Sequence, residues 1–161
     1  MSVRSFFFLT ESTHVASPSV FLPASDIPSF VGKGNVDLGI TGHDVILEAN
    51  MQDLVVEELR LGFGKCSLQV QVPEAGSIQT VEDLAGKRVV TSFEVLSGQY
   101  FKEIDDRLNL KGDQRTKIEY VGGSVEAACA LGLADGISEQ FHNFLYFTSL
   151  TACYLLVDLV G

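Results

Sequence analysis

Apolar and polar positions alternate most cleanly at residues 68 to 72, where Gln69 and Gln71 separate Leu68, Val70 and Val72. A period of two predicts a half-buried strand, and Pro73 ends it because proline has no N–H for the ladder. Val36, Leu38 and Ile40 alternate with Asp37 and Gly39 in the same way. They predict a second strand, which turns through Gly39-Ile40-Thr41-Gly42 into a short helix from Val45 to Asn50. Upstream, Asp26 reads as an N-cap with Pro28 in the first turn, and Ile27, Phe30 and Val31 form the buried side of the helix. Residues 1 to 20 show no clear period and read as irregular, and Phe21 and Leu22 end a short strand.

Further along, Thr80-Val81-Glu82-Asp83 has the spacing of a capping box, in which residue and N-cap satisfy each other's backbone. Val89-Val90 is a strand ending in Thr91-Ser92. A helix from Glu94 to about Leu108 turns Val95, Tyr100, Phe101 and Ile104 toward the core. Ile118 to Val121 is a strand, Gly122-Gly123-Ser124 opens a helix through Leu131, and Leu133 to Ile137 is a last short strand. Repeated strand–turn–helix order predicts an α/β fold with parallel sheets. The boundaries fall as a first lobe over residues 1–65, a second over 66–137 and an apolar tail over 138–161. Two lobes joined by extended segments would frame a cleft, the preferred place for a small ligand.

Composition narrows the function. The 161 residues are 46% hydrophobic and 20% charged, enough apolar matter for a core. A net charge of −10 argues against a general nucleic-acid binder, which needs Lys and Arg to neutralise phosphates. Cys66, Cys129 and Cys153 form no C-x-x-C pair and read as reduced, buried structural thiols, which suits a cytoplasmic protein. The apolar run from Phe144 to Val160 is diluted by Thr148, Ser149, Thr151 and Asp158. It falls short of the roughly 20 residues a membrane span needs, so no membrane partner is expected.

The residues alone leave the chemistry open. A strand–turn–helix joint exposes backbone N–H groups to an anion, yet it is also ordinary connection geometry. Asp44 reads equally as a helix cap or as an acceptor for a ligand's hydroxyl or amino group. Thr91 and Ser92 are strand-end hydroxyls or plain turn residues. Glu126 offsets a helix dipole or faces a site. His43 reads as solvent-exposed.

Taken together, "DIPSFVGKGNVDLGITGHD", "CSLQVQVP", "GKRVVTSF" and "GGSVEAACALGLADGI" resemble the catalytic chain of the ATP phosphoribosyltransferase family, in its eukaryotic form, over about residues 21 to 137. The resemblance implies two α/β lobes of the periplasmic-binding-protein type (type II-like). It also implies the first step of histidine biosynthesis, in which N1 of ATP attacks the anomeric carbon of 5-phosphoribosyl 1-pyrophosphate (PRPP). Mg²⁺-bound pyrophosphate leaves. ATP and PRPP are then the substrates, with a homo-oligomer possible in the cytoplasm. On this resemblance Gly39, Thr41, Gly42 and Asp44 form one wall of the cleft, the glycines admitting the nucleotide. Thr91 and Ser92 match the family's Thr-Ser pair and line the nucleotide side, and Glu126 is a further site candidate. Asp135, as the catalytic carboxylate, opens the PRPP loop with Gly136 and Ile137.

That loop reads approximately Asp-Ala/Gly-Ile-Val-Asp-Leu-Val in the family. Here Asp135-Gly136-Ile137 is followed by "SEQFHNFLYFTSLTACYLL" before Val157-Asp158-Leu159-Val160. The expectation is an insert from Ser138 to Leu156, such as a retained intron, that displaces Asp158 from the loop. The Gly-x-Thr phosphate cradle and the opening strand with its basic turn are expected to be missing. Such breaks predict impaired turnover, because donors must stand within about an ångström of their working positions. Two other readings remain: a two-lobed nucleotide- or solute-binding module without chemistry, and a non-catalytic paralogue associated with an intact copy.

Overall fold

The computed structural model describes residues 7–8, 19–73, 76–123 and 125–141. Asp158 and the stretch from residue 142 onward lie outside the described residues, as does most of residues 1–18. The chain divides into two compact units, residues 1–57 and residues 58–161. Residues 58–65, assigned above to the first lobe, therefore belong with the second unit.

In the first unit, β1 (Phe7–Phe8) pairs antiparallel with β2 (Ser19–Val20), where the sequence suggested irregular chain and a strand ending two residues later. Helix α1 (Ile27–Gly32) begins as expected, with Asp26 at the N-cap and Pro28 in the first turn. Pro28 is its one buried residue; Ile27 and Val31 are half-buried, and Phe30, expected on the buried side, is exposed. Helix α2 (His43–Glu48) starts two residues earlier than predicted, with Gly42 as its extended N-cap.

The expected strand at 36–40 is not formed, and Leu38 and Ile40 are 78% and 76% exposed. Alternation makes a segment fit for a sheet but supplies no partner, and among the described residues none lies beside it. Gly39 is exposed, but the side on which a Cβ would sit faces α1. A Cβ there would stand 2.6 Å from Ile27 Cγ2 and 2.9 Å from Val31 Cγ2 on α1. Its missing side chain serves helix packing within this unit.

The second unit is a four-stranded mixed sheet of β3 (Ser67–Gln71), β4 (Arg88–Thr91), β5 (Lys117–Tyr120) and β6 (Gly136–Phe141), in the spatial order β3-β6-β4-β5. Strands β6, β4 and β5 run parallel, and β3 joins β6 antiparallel. Helix α3 (Glu94–Arg107) connects β4 to β5, and α4 (Val125–Ala130) leads from β5 back to β6. Consecutive residues of β4 face opposite ways. Val89 packs with Val70, Leu84, Phe101 and Ile104 on the α3 side, and Val90 packs with Val125, Ala128 and Ile137 on the α4 side. This two-faced burial is what a parallel sheet between helices requires.

Local chemistry fixes the joints. Asp83 accepts the backbone N–H groups of Gln79 (3.0 Å) and Thr80 (2.8 Å), so the capping box forms, on a 3₁₀ turn over Val81–Leu84. Those bonds hold its carboxyl below the usual range. Buried Asp105 of α3 accepts Thr116 N–H and Thr116 Oγ1, both at 2.8 Å, and so anchors the turn before β5.

The last strand departs most from expectation. It starts at Gly136 and continues through Ser138, Glu139, Gln140 and Phe141, pairing Ser67↔Phe141 through Gln71↔Ile137 on β3. The first four residues assigned to the insert are thus the last four of the six in a core strand. Within that register Gln69 stands opposite Glu139, and Val70 opposite Ser138.

Candidate functional site

Parallel strands in an α/β sheet present their carboxyl ends together, and ligands bind where successive connections leave in opposite directions. Here the chain leaves β4 toward β5 through α3 and returns through α4 to β6 on the other side of β4. The carboxyl ends of β4 and β6 are therefore the switch point. The register sets Thr91 beside Ser138, so the next residues, Ser92 and Glu139, also come together.

Ser92 Oγ donates to Glu139 Oε1 at 3.0 Å. Glu139 is half-buried, and burial raises its carboxyl above the usual value. Hydrogen bonds from the Ser92 side chain and backbone pull the other way, and the nearby charge of Glu126 pushes it up again. A carboxylate held partly dry and tied by hydroxyl and amide donors can accept from a ligand's hydroxyl groups or oppose a developing positive charge. On the other face of the same strand ends, Thr91, Ser97 and Ser138 are fully buried and joined through their hydroxyls.

The expected site residues fall into three places. Thr91, Ser92 and Glu126 gather at the strand ends with Glu139. Asp135 stands at the opposite end of β6: its carboxylate accepts Arg88 N–H at 3.0 Å and lies 3.4 Å from Arg88 Nε, while Arg88 also reaches Gly132 O. That arrangement clamps the starts of β4 and β6. Gly136 and Ile137 lie within the sheet, Gly136 against Leu84 and Ile137 in the α4-side core. The structure therefore separates Asp135, Gly136 and Ile137 from the strand-end hydroxyls.

The third group is in the first unit. Thr41 Oγ1 donates to Ala24 O at 3.3 Å. Asp44 is in the first turn of α2, where its carboxylate lies over Gly42, the extended N-cap. Gly39 is used against α1, as above. His43 is exposed, as expected, with Glu57 at 3.8 Å. Cys66 is a free thiol and half-buried; Gln140 Nε2 donates to its sulfur at 2.7 Å.

Glu139 is the residue that sequence reading passed over. The signal was present: counted without a gap from Asp135, the family pattern Asp-Gly-Ile-Val-Asp places its second acid at 139 and its Val at Ser138. Treating Ser138 as the start of an insert hid that correspondence.

The family model for HisG, ATP phosphoribosyltransferase, matches residues 23–142, three-quarters of the chain. The chain belongs to the HisG family. The match runs through Glu139 and all of β6, so the family pattern continues beyond Ile137. ATP phosphoribosyltransferase from Candida albicans is 52% identical over 126 residues, 78% of this chain and 40% of that protein. The Yarrowia lipolytica enzyme is 55% identical over 126 residues, covering 78% and 41%. The chain thus spans about two-fifths of the length of these relatives. Among solved structures, an ATP phosphoribosyl transferase (HisG:HisZ) complex from Thermotoga maritima is similar in fold, with a TM-score of 0.59, 22% identity and coverage of 76% of this chain and 54% of that one. The α/β class expected from the sequence is borne out. No helix among the described residues is long and apolar enough to cross a membrane.

Proposed function

We propose that this HisG-family chain contributes the PRPP side of an ATP phosphoribosyltransferase site, acting in the first step of histidine biosynthesis in the cytoplasm. The observation that carries the reading is the Ser92–Glu139 pair at the β4/β6 switch point, with Glu139 in register with the second acid of the family's PRPP loop. In the proposed reaction, N1 of ATP forms a bond to the anomeric carbon of PRPP. The bond from that carbon to the pyrophosphate oxygen breaks, and pyrophosphate leaves with the electron pair. Glu139 accepts from ribose hydroxyls and opposes the positive charge that grows on the ribose ring. Ser92 and its backbone N–H hold that carboxylate in place, and Glu126 adds negative potential from α4.

Among the described residues no group of three or more His, Cys, Asp or Glu side chains could hold a metal ion. Mg²⁺ enters this reading as part of the substrate, carried on the pyrophosphate of PRPP as the family reaction implies. The Gly39–Asp44 turn of the first unit is retained as the proposed nucleotide contact, with Thr41 and Asp44 as its polar side chains. Asp135 is assigned to the Arg88 clamp, and Gly136 and Ile137 to the sheet.

Family membership favours this transferase line over a solute-binding module. Titration calorimetry with PRPP and Mg²⁺ tests it. Glu139→Gln is expected to weaken PRPP binding at least tenfold, and Asp135→Asn to leave it within twofold. The reverse ranking would return the site to Asp135.

A further inference from the structure

Three hydroxyls lie beneath the strand-end pair, in positions where apolar side chains would fill the space more simply. Thr91 ends β4, Ser97 is in the first turn of α3 and Ser138 is the third residue of β6, and all three are wholly buried. Burying a hydroxyl is costly unless its bonds are made. Here they are made in sequence. Phe93 N–H donates to Thr91 Oγ1 at 2.9 Å, and Ser97 Oγ donates to Ser138 Oγ at 3.0 Å. A serine has one hydroxyl proton, and Ser97 spends it on Ser138. In the 3.2 Å contact between Thr91 and Ser97, Thr91 is therefore the donor.

The result is a directed relay: Phe93 N–H to Thr91, Thr91 to Ser97, Ser97 to Ser138. It crosses three elements and starts in the turn that carries Ser92. Ser92 and Glu139 directly follow Thr91 and Ser138, on the opposite face of the sheet. Pinning Thr91 and Ser138 through Ser97 fixes the separation of the two strand ends and the path of the turn between β4 and α3.

We infer that Ser97 and Ser138 are positioning residues, whose hydroxyl relay through Thr91 holds Ser92 against Glu139 at the carboxyl ends of β4 and β6. The inference deepens the proposed function and rests on Ser92–Glu139 being the working pair. Ser138 stands where the family pattern carries Val, so this chain closes the relay with a hydroxyl of its own.

The test uses the full chain without ligand, so that it is judged separately from PRPP binding. Ser97→Ala and Ser138→Val each break the relay. Expected for both is amide exchange at Phe93 at least tenfold faster, with the amides of Phe101 and Ile104 in the middle of α3 changed no more than global unfolding requires. The Glu139 carboxyl, followed by carbon NMR, is expected to titrate higher still, since the Ser92 donors loosen while burial and the Glu126 charge remain. Ser97→Cys, which keeps a weak donor of similar size, is expected to fall between wild type and Ser97→Ala, and serves if the alanine variant does not fold. Uniformly faster exchange with an unmoved Glu139 titration would overturn the inference and leave the hydroxyls as packing. Failure of wild type to bind PRPP, with the relay responses as expected, would instead overturn the site reading alone.

Discussion

Two carboxylates in this unit respond to folding in opposite senses. Asp83 gains two backbone donors, which favour its charged form, so its folded pKa is depressed. Its contribution is present above the unfolded carboxylate pKa and is lost as pH falls through the lower folded value. Glu139 is pushed up mainly by burial, so the folded state favours its protonated form. Its stability contribution is present below the unfolded pKa and is lost as pH rises through the folded one. Urea unfolding across pH checks both. Asp83→Asn is expected to destabilise at pH 7 and to match wild type in strong acid. Glu139→Gln is expected to stabilise at pH 7 and likewise to match wild type in strong acid. A residue that costs stability at neutral pH at a strand end is what a binding role would produce. The Arg88–Asp135 pair at the opposite end of the strands is half-exposed. Asp135→Asn retains an acceptor for Arg88 N–H and is expected to cost about 0.5 kcal/mol.

At the scale of elements, what the sequence disclosed depended on whether each element's partners were nearby in the chain. Helix α3 was legible because its buried face follows the 3.6-residue period, with Phe101 and Ile104 inward and its ends within a residue of those expected. The capping box at Thr80–Asp83 and the strand through Leu68 and Val70 were legible for similarly local reasons. The segment at 36–40 has the right alternation, but strand formation needs a neighbour, which no local pattern supplies. The end of β6 was misread for the opposite reason. Ser138, Glu139 and Gln140 look like an exit to solvent, and only the register with β3 and β4 reveals a paired strand. The α3–β5 joint offers a test of an interaction that local pattern does not reveal. Asp105→Ala strips both Thr116 bonds and is expected to lower stability by about 2 kcal/mol, with Asp105→Asn losing roughly half of that.

Among the described residues, the buried apolar core belongs to the second unit. Every buried hydrophobic residue from Leu68 to Ile137 packs around its sheet, while the first unit buries Pro28 and leaves Leu38, Ile40, Leu54 and Val56 exposed. Hydrogen exchange is therefore expected to protect β4, β6 and α3 most strongly, with residues 27–50 exchanging at least a hundredfold faster. Equal protection would mean that the first unit acquires cover not evident among the described residues. The chain spans about two-fifths of its yeast relatives, and both proposed contacts, one in each unit, are assigned on chemistry that each unit carries by itself.

The central claim is that the carboxyl ends of β4 and β6, not the Arg88–Asp135 end, receive the phosphoribosyl substrate. Amide chemical-shift mapping with PRPP and Mg²⁺ tests it directly, because the two ends of the strands report through different residues. The account predicts the largest shifts at Ser92, Phe93 and Glu139, with Arg88 and Asp135 little changed. Shifts centred on Arg88 and Asp135, or a spectrum unmoved at saturating PRPP, would contradict it.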